Sequence, residues 1–274
     1  MSGTATKLAI ATQPLGATAG SSLSTQPVVR VLDANDLLVE SSTTAITATA
    51  SGGTLGGTTT VNADAGVATF SNLTFAGIAG TNYTLSFAPP SGLTTAVSSN
   101  FTVTVGTATQ LVLTTDASGA TYGNTFTTQP VVEIRDAGGN KVTTATDTVA
   151  ATLSSGTVVG TGNSVAVAGV ATFSGLGITG TPGTFTVTYS SESLTSASQS
   201  ISVGKAAQTV TFADPTDRAW SASSFAVSPS STSLLTVSLE SSDTNICTVS
   251  GFNITMVTVG TCTLTALQAG NDNF

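Results

Sequence analysis

The stretch TTQPVVEIRDAGG, residues 127–139, has a near copy in STQPVVRVLDAND, residues 24–36, with Thr25 and Thr128 lying 103 positions apart. Self-similarity at a fixed spacing marks a repeat architecture. Working outward, ATKLAI (5–10) returns as ATQLVL (108–113) and GVATFSNL (66–73) as GVATFSGL (169–176), both at the same offset. Gly77 and Gly80 match Gly180 and Gly183; beyond them the register slips by one, and Tyr83 pairs with Phe185. A one-residue change in a surface turn accounts for the slip. Inside the motif, polarity alternates. Val29 and Val31 face one way and Arg30 the other; Val132 and Ile134 face in while Glu133 and Arg135 face out. Period-two alternation means strands with one buried and one wet face.

The runs KLAIAT, PVVRVL, AITATA, TTTVNA, GVATFSNLTF, YTLSFA and NFTVTV are the candidate strands of the first copy. About seven short strands in about 100 residues, split by regular turns, predict an immunoglobulin-like β-sandwich. The fold class expected is therefore all-β, with sandwich domains placed end to end over residues 1–106, 107–204 and 205–274. In the joint FTVTVGTATQLVL (101–113) only Gly106 and Thr107 intervene as linker, and ISVGKAAQTVTF (201–212) runs just as directly from the second unit into the third. Joints this short predict a semi-rigid rod. The third unit is shorter by about 30 residues and stops at GNDNF, just after a strand. A sandwich normally adds another strand there, so either the chain was cut at that point or the strand comes from elsewhere.

Composition narrows the function. Charged residues make up 7% of the chain, against about 25% in an ordinary soluble protein, and the net charge is −8. The six cations, Lys7, Arg30, Arg135, Lys141, Lys205 and Arg218, are scattered, whereas a nucleic-acid surface needs them clustered. No apolar run approaches the roughly 20 residues that cross a bilayer, so no membrane insertion is expected. The opening MSGTATKLAIATQPLG lacks a signal-peptide core; an exported chain would be a mature fragment or would leave by another route. With no histidine, histidine triads and histidine acid–base catalysis are excluded. Two cysteines cannot make a four-thiolate zinc site, and SGGTLGG (51–57) lacks the Lys-Ser/Thr ending of a phosphate loop. No catalytic residue, cofactor or enzyme activity is expected.

The remaining candidates are few. Asp33, Asp36 and Asp64 could supply calcium oxygens. The second copy keeps Asp136 but has Gly139 for Asp36 and no acid matching Asp64, which favours turn-forming aspartates. Cys247 and Cys262 read as one disulfide in an oxidising compartment, closing a loop worth roughly 3 kcal/mol; two buried thiols are the alternative. Trp220, the single tryptophan, either stacks on a ligand or plugs the end of the third unit, the plug being preferred. Lys7 and Lys205 begin strands, the place of isopeptide lysines, but Gln110 stands where Lys7 does in the first copy.

The spaced elements TQPVV, DA, GGTLGGTTTV, GVATFSNL and GIAGTNYTLSF resemble the bacterial immunoglobulin-like (Big-type) repeats found in tandem in very long surface and adhesin proteins, over about residues 5–204. The family's Asp-Ala-Asn-Gly-Asn turn appears here as DANDLL and DAGGNK. AQTVTF, NICTVSG and GTCTLTALQAGND resemble a second bacterial immunoglobulin-like module whose members continue into one more strand. The resemblance implies an extracellular, non-catalytic spacer of an adhesin-like surface protein, partnered by neighbouring domains of the same or adjacent chains. The first alternative is a virion decoration, fibre or filament subunit that adds a strand to the incomplete third unit, with SGTAT (2–6) as a weakly apolar donor. The second is a carbohydrate-binding module that holds cell-surface glycans on Trp220, Tyr83 or Tyr122.

Overall fold

The computed structural model describes residues 3–90 and 92–274. Every regular element in it is a β-strand. Among the described residues no helix is long and apolar enough to cross a membrane.

The alternation read from the motif sets the layers. Val28–Leu32 sits between Lys7–Thr12 and Val67–Thr69 in one antiparallel sheet. A second sheet runs in the order Ala96–Val97, Leu85–Ala88, Ala45–Ala50, Thr60–Asn62. Val29, Val31, Ile46, Leu85 and Phe87 are fully buried in one cluster, whereas Arg30 is exposed. The second copy repeats this plan. Val131–Asp136 pairs with Ala108–Thr115 and Val170–Thr172, and the other sheet runs Asn163–Val165, Thr148–Leu153, Gly183–Ser190, Ala197–Val203. Val132, Ile134, Val149, Val187 and Tyr189 fill its core. The chain is thus an all-β array of immunoglobulin-like sandwiches.

The glutamine of the repeated motif explains why TQPVV recurs. Gln26 Nε2 donates to the Leu73 carbonyl at 2.9 Å and Gln26 Oε1 accepts the Leu73 N–H at 2.9 Å. Gln129 does the same to Leu176, donating at 3.0 Å and accepting at 2.9 Å. The side-chain amide stands in for a strand backbone at a point where the chain changes sheets, so that buried N–H and C=O groups stay paired. This corrects one expectation. GVATFSNLTF is not a single strand: Val67–Thr69 belongs to one sheet and Thr74–Ala76 to another, with the amide-clamped Leu73 between them.

NFTVTV also departs from expectation. It makes only single bridges, Tyr83 to Phe101 and Thr18 to Thr104, although its counterpart in the second unit is a seven-residue strand. The Ser98 hydroxyl accepts the Leu85 N–H at 2.9 Å, and the Ser98 N–H donates to the Leu85 carbonyl. At Ser98 the hydroxyl takes the place of the backbone carbonyl, and the regular ladder ends there.

The third unit is built from smaller pieces. Phe225–Ala226, Asn253–Met256 and Cys247–Ser250 form one sheet, and Ser238–Ser241 pairs with Leu264–Leu267 in another. Only Leu239, Cys247 and Ile254 form its buried cluster, against eighteen and twenty residues in the first two units. Cys247 and Cys262 are joined in a disulfide, with Cα atoms 6.0 Å apart, and Cys247 is part of that small core.

Candidate functional site

The turn that ends the repeated motif is where the first two units meet. Asp136 is completely buried, and its carboxylate is consumed by backbone donors. Oδ1 accepts the N–H groups of Gly138 and Asn140, both at 2.9 Å, and Oδ2 accepts the Gly106 N–H at 2.7 Å. Gly106 lies in the linker itself, so one carboxylate ties the turn to the incoming chain. Asp33 repeats the arrangement at 2% exposure, accepting from Asn35 at 2.9 Å, Leu37 at 3.0 Å and Gly3 at 2.6 Å. The Gly3 N–H, then that of Leu37, hold the Asp33 carboxyl below the ordinary carboxylate value, while burial acts in the opposite direction.

From this braced turn Asn140 reaches into the first unit. Its Oδ1 accepts the Ala79 N–H at 2.8 Å, and its Nδ2 donates to the Gly77 carbonyl at 2.9 Å. The same Nδ2 lies 3.0 Å from both Asp136 carboxylate oxygens, which fixes the amide's orientation. Gly138 packs against the Gly77 carbonyl so closely that a Cβ would overlap it, and the Ala137 methyl faces Gly20. The joint is therefore a polar clamp set in a close backbone contact. Its chemistry is positional: two hydrogen bonds hold one sandwich against the next.

The second joint is made differently. Tyr122 and Phe274 meet edge to face with ring centroids 5.6 Å apart. The Ala206 N–H donates to the Asn273 carbonyl at 2.8 Å and Lys205 Nζ to the Asn271 carbonyl, bonds that tie the start of the third unit to residues 271–273 of the same unit.

The candidates from sequence do not gather into one site. Asp33 braces its turn, Asp36 pairs with Lys7 at 2.7 Å, and Asp64 closes a turn with Val67. Among the described residues no group of three acidic, cysteine or histidine side chains could hold a metal ion. Lys7 has an exposed aspartate as its ion-pair partner rather than an asparagine. Tyr83 is only 6% exposed and its hydroxyl accepts the Ile78 N–H at 2.7 Å, so it is a core residue and not a sugar platform. Trp220 does not plug the third unit: it is 57% exposed and lines a cavity of about 750 Å³ together with Phe212, Phe225, Met256 and Leu264. Arg218 stacks over the Phe225 ring, 4.2 Å from its centroid, on the same cavity. Residue 2 of the suggested donor SGTAT lies outside the described residues. Its end is engaged at home, where the Thr6 N–H donates to Leu32 and the Thr6 carbonyl accepts from Thr94. Asn140 was not singled out from sequence. Its signal was the final asparagine of the family's turn, replaced by Leu37 in the first copy.

No family model matches the chain, and no curated protein matches it. Solved structures do. A Parabacteroides merdae β-glucuronidase is 13% identical with a TM-score of 0.26, the match covering 71% of this chain and 24% of the enzyme. The D0-D1 domain of intimin is 14% identical with a TM-score of 0.28, over 73% of this chain and 99% of that one. Invasin, a bacterial integrin-binding protein, is 15% identical with a TM-score of 0.30, over 95% of this chain and 56% of that one. The neighbours thus include adhesin domains and glycosidases. At TM-scores this low the likeness carries no argument about role, and the chain spans about a quarter of the enzyme it matches.

Proposed function

We propose that this chain is a non-catalytic spacer, a run of Big-type immunoglobulin-like domains from an extracellular bacterial surface protein, that holds another part of that protein at a distance. The observation that carries the reading is the Asn140 clamp. A length-adding repeat needs joints that resist folding back, and here a turn braced by a buried carboxylate grips the preceding unit through two hydrogen bonds. The closed disulfide suits an oxidising compartment. A surface rich in hydroxyls and poor in charge suits a chain whose work is mechanical. The test is small-angle scattering on the purified chain across a salt series. A single elongated profile that does not change with salt supports the spacer. A profile that demands a broad ensemble of compact and extended shapes contradicts it.

A further inference from the structure

Asn72, Asn82, Asn100 and Asn253 each have a threonine two positions on, with no proline between. Asn-x-Thr is the acceptor signature for attaching a sugar to the asparagine amide. A threonine-rich chain produces the motif by composition, so the structure decides which copies can serve. Asn72 is already engaged: its Oδ1 accepts the Thr58 N–H at 2.9 Å and its Nδ2 donates to the Thr58 hydroxyl at 3.0 Å. Asn253 begins the Asn253–Met256 strand and is the one copy of the motif in the third unit. Asn82 and Asn100 lie together. The Tyr83 N–H donates to the Phe101 carbonyl at 2.8 Å and the Phe101 N–H to the Tyr83 carbonyl at 2.9 Å, an antiparallel pair. Tyr83 and Phe101 are both buried in the core of the first unit. Alternation then turns Asn82 and Thr84, and Asn100 and Thr102, to the outer face. Antiparallel pairing sets Asn82 beside Thr102 and Asn100 beside Thr84. Asn82, Asn100 and Thr102 are exposed.

We propose that Asn82 and Asn100 are a pair of N-glycosylation sites, each taking an uncharged sugar from a glycosyl diphosphate donor through a glycosyltransferase. The second observation is the groove beside them. It measures about 610 Å³ and is lined by both asparagines with Leu15, Thr18, Ser24 and Thr104, and every side chain on its wall is uncharged. The hydroxyls of Thr18, Ser24 and Thr104 can bond those of the first sugar. Leu15, 56% exposed, can lie under the sugar's C–H face. In the transfer, Asn Nδ2 attacks the anomeric carbon, a C–N bond forms, and the C–O bond to the diphosphate breaks. The diphosphate leaves with that electron pair, and the amide loses one proton to a base of the transferase. The threonine hydroxyl two positions on shares the face of the amide and orients it. The site goes beyond the spacer reading and does not depend on it.

The test is glycopeptide mapping by mass spectrometry on the full chain recovered from its native cells. The expected result is sugar on Asn82 and on Asn100, with Asn72 bare. A single hexose reports a nucleotide diphosphate carrier and a preassembled oligosaccharide a lipid diphosphate carrier; either supports the sites. Thr84→Val, expressed in the same cells, should lose the sugar from Asn82 and keep it on Asn100, and Thr102→Val should do the reverse. Valine keeps the strand propensity of threonine, and an unchanged circular dichroism spectrum checks that each variant folds. A chain in which Asn82 or Asn100 is never occupied overturns the proposal. Sugar on Asn72 at equal occupancy overturns the structural choice among the four. Sugar that persists on Asn82 in Thr84→Val and on Asn100 in Thr102→Val also overturns it, because attachment would then not depend on the acceptor motif.

Discussion

Replacing Asn140 with leucine, the residue that the first unit carries at the matching position 37, isolates the clamp. The change removes two bonds across the joint, to Ala79 at 2.8 Å and to Gly77 at 2.9 Å. It leaves Asp136 its three backbone donors, including the Asn140 N–H, so the turn itself should persist. At about 0.5–1.5 kcal/mol net per hydrogen bond, the coupling between the first two units should fall by about 1–3 kcal/mol. Ala79→Pro makes the complementary cut, because it deletes the N–H and installs the residue found at the matching position, Pro182. A double-mutant cycle of the two, read by denaturant unfolding, should then show non-additivity of about 0.5–1.5 kcal/mol for the one shared bond. Small-angle scattering on Asn140→Leu should show a wider spread of maximum dimensions. If the cycle is additive and scattering is unchanged, the clamp carries no energy and the linker alone sets the geometry.

Gln129→Ala should destabilise the second unit by about 1–3 kcal/mol, because the buried Leu176 N–H loses its acceptor; urea unfolding monitored by Tyr189 measures it. Reducing the Cys247–Cys262 bond frees a separation of 15 residues, and it should lower the stability of the third unit by roughly 3 kcal/mol, with the transitions of the other two unchanged by calorimetry. Asp33 has a folded pKa below its unfolded value of 3.8. The stability it supplies is therefore complete above that value and is lost as pH falls through the folded pKa. Melting temperature against pH should drop in the acid range for the first unit, and Asp33→Asn should flatten that drop; an unchanged slope would deny Asp33 the role.

The strand pattern was legible because it is local. Val29 and Val31 against Arg30, and Val132 and Ile134 against Glu133, announce their faces within five residues, and the burial follows them. GVATFSNLTF was misread as one strand because its break is made from afar: Leu73 is held by Gln26, 47 residues earlier. The recurrence of TQP hinted at the glutamine but could not reveal what it holds. Tyr83 looked available to a ligand, since nothing in its neighbours shows that its hydroxyl is turned inward to the Ile78 N–H.

By itself, then, the sequence determined the building block and its repetition. Period-two polarity, turn glycines and the 103-residue offset are properties of chemically local or directly repeated residues. Tertiary structure alone decided the joint. Asn140 finds its partners 61 and 63 positions away, and a polar residue in a turn looks the same whether it faces water or another unit. A hydrogen-bond partner brought in by folding has no mark in the residues that await it.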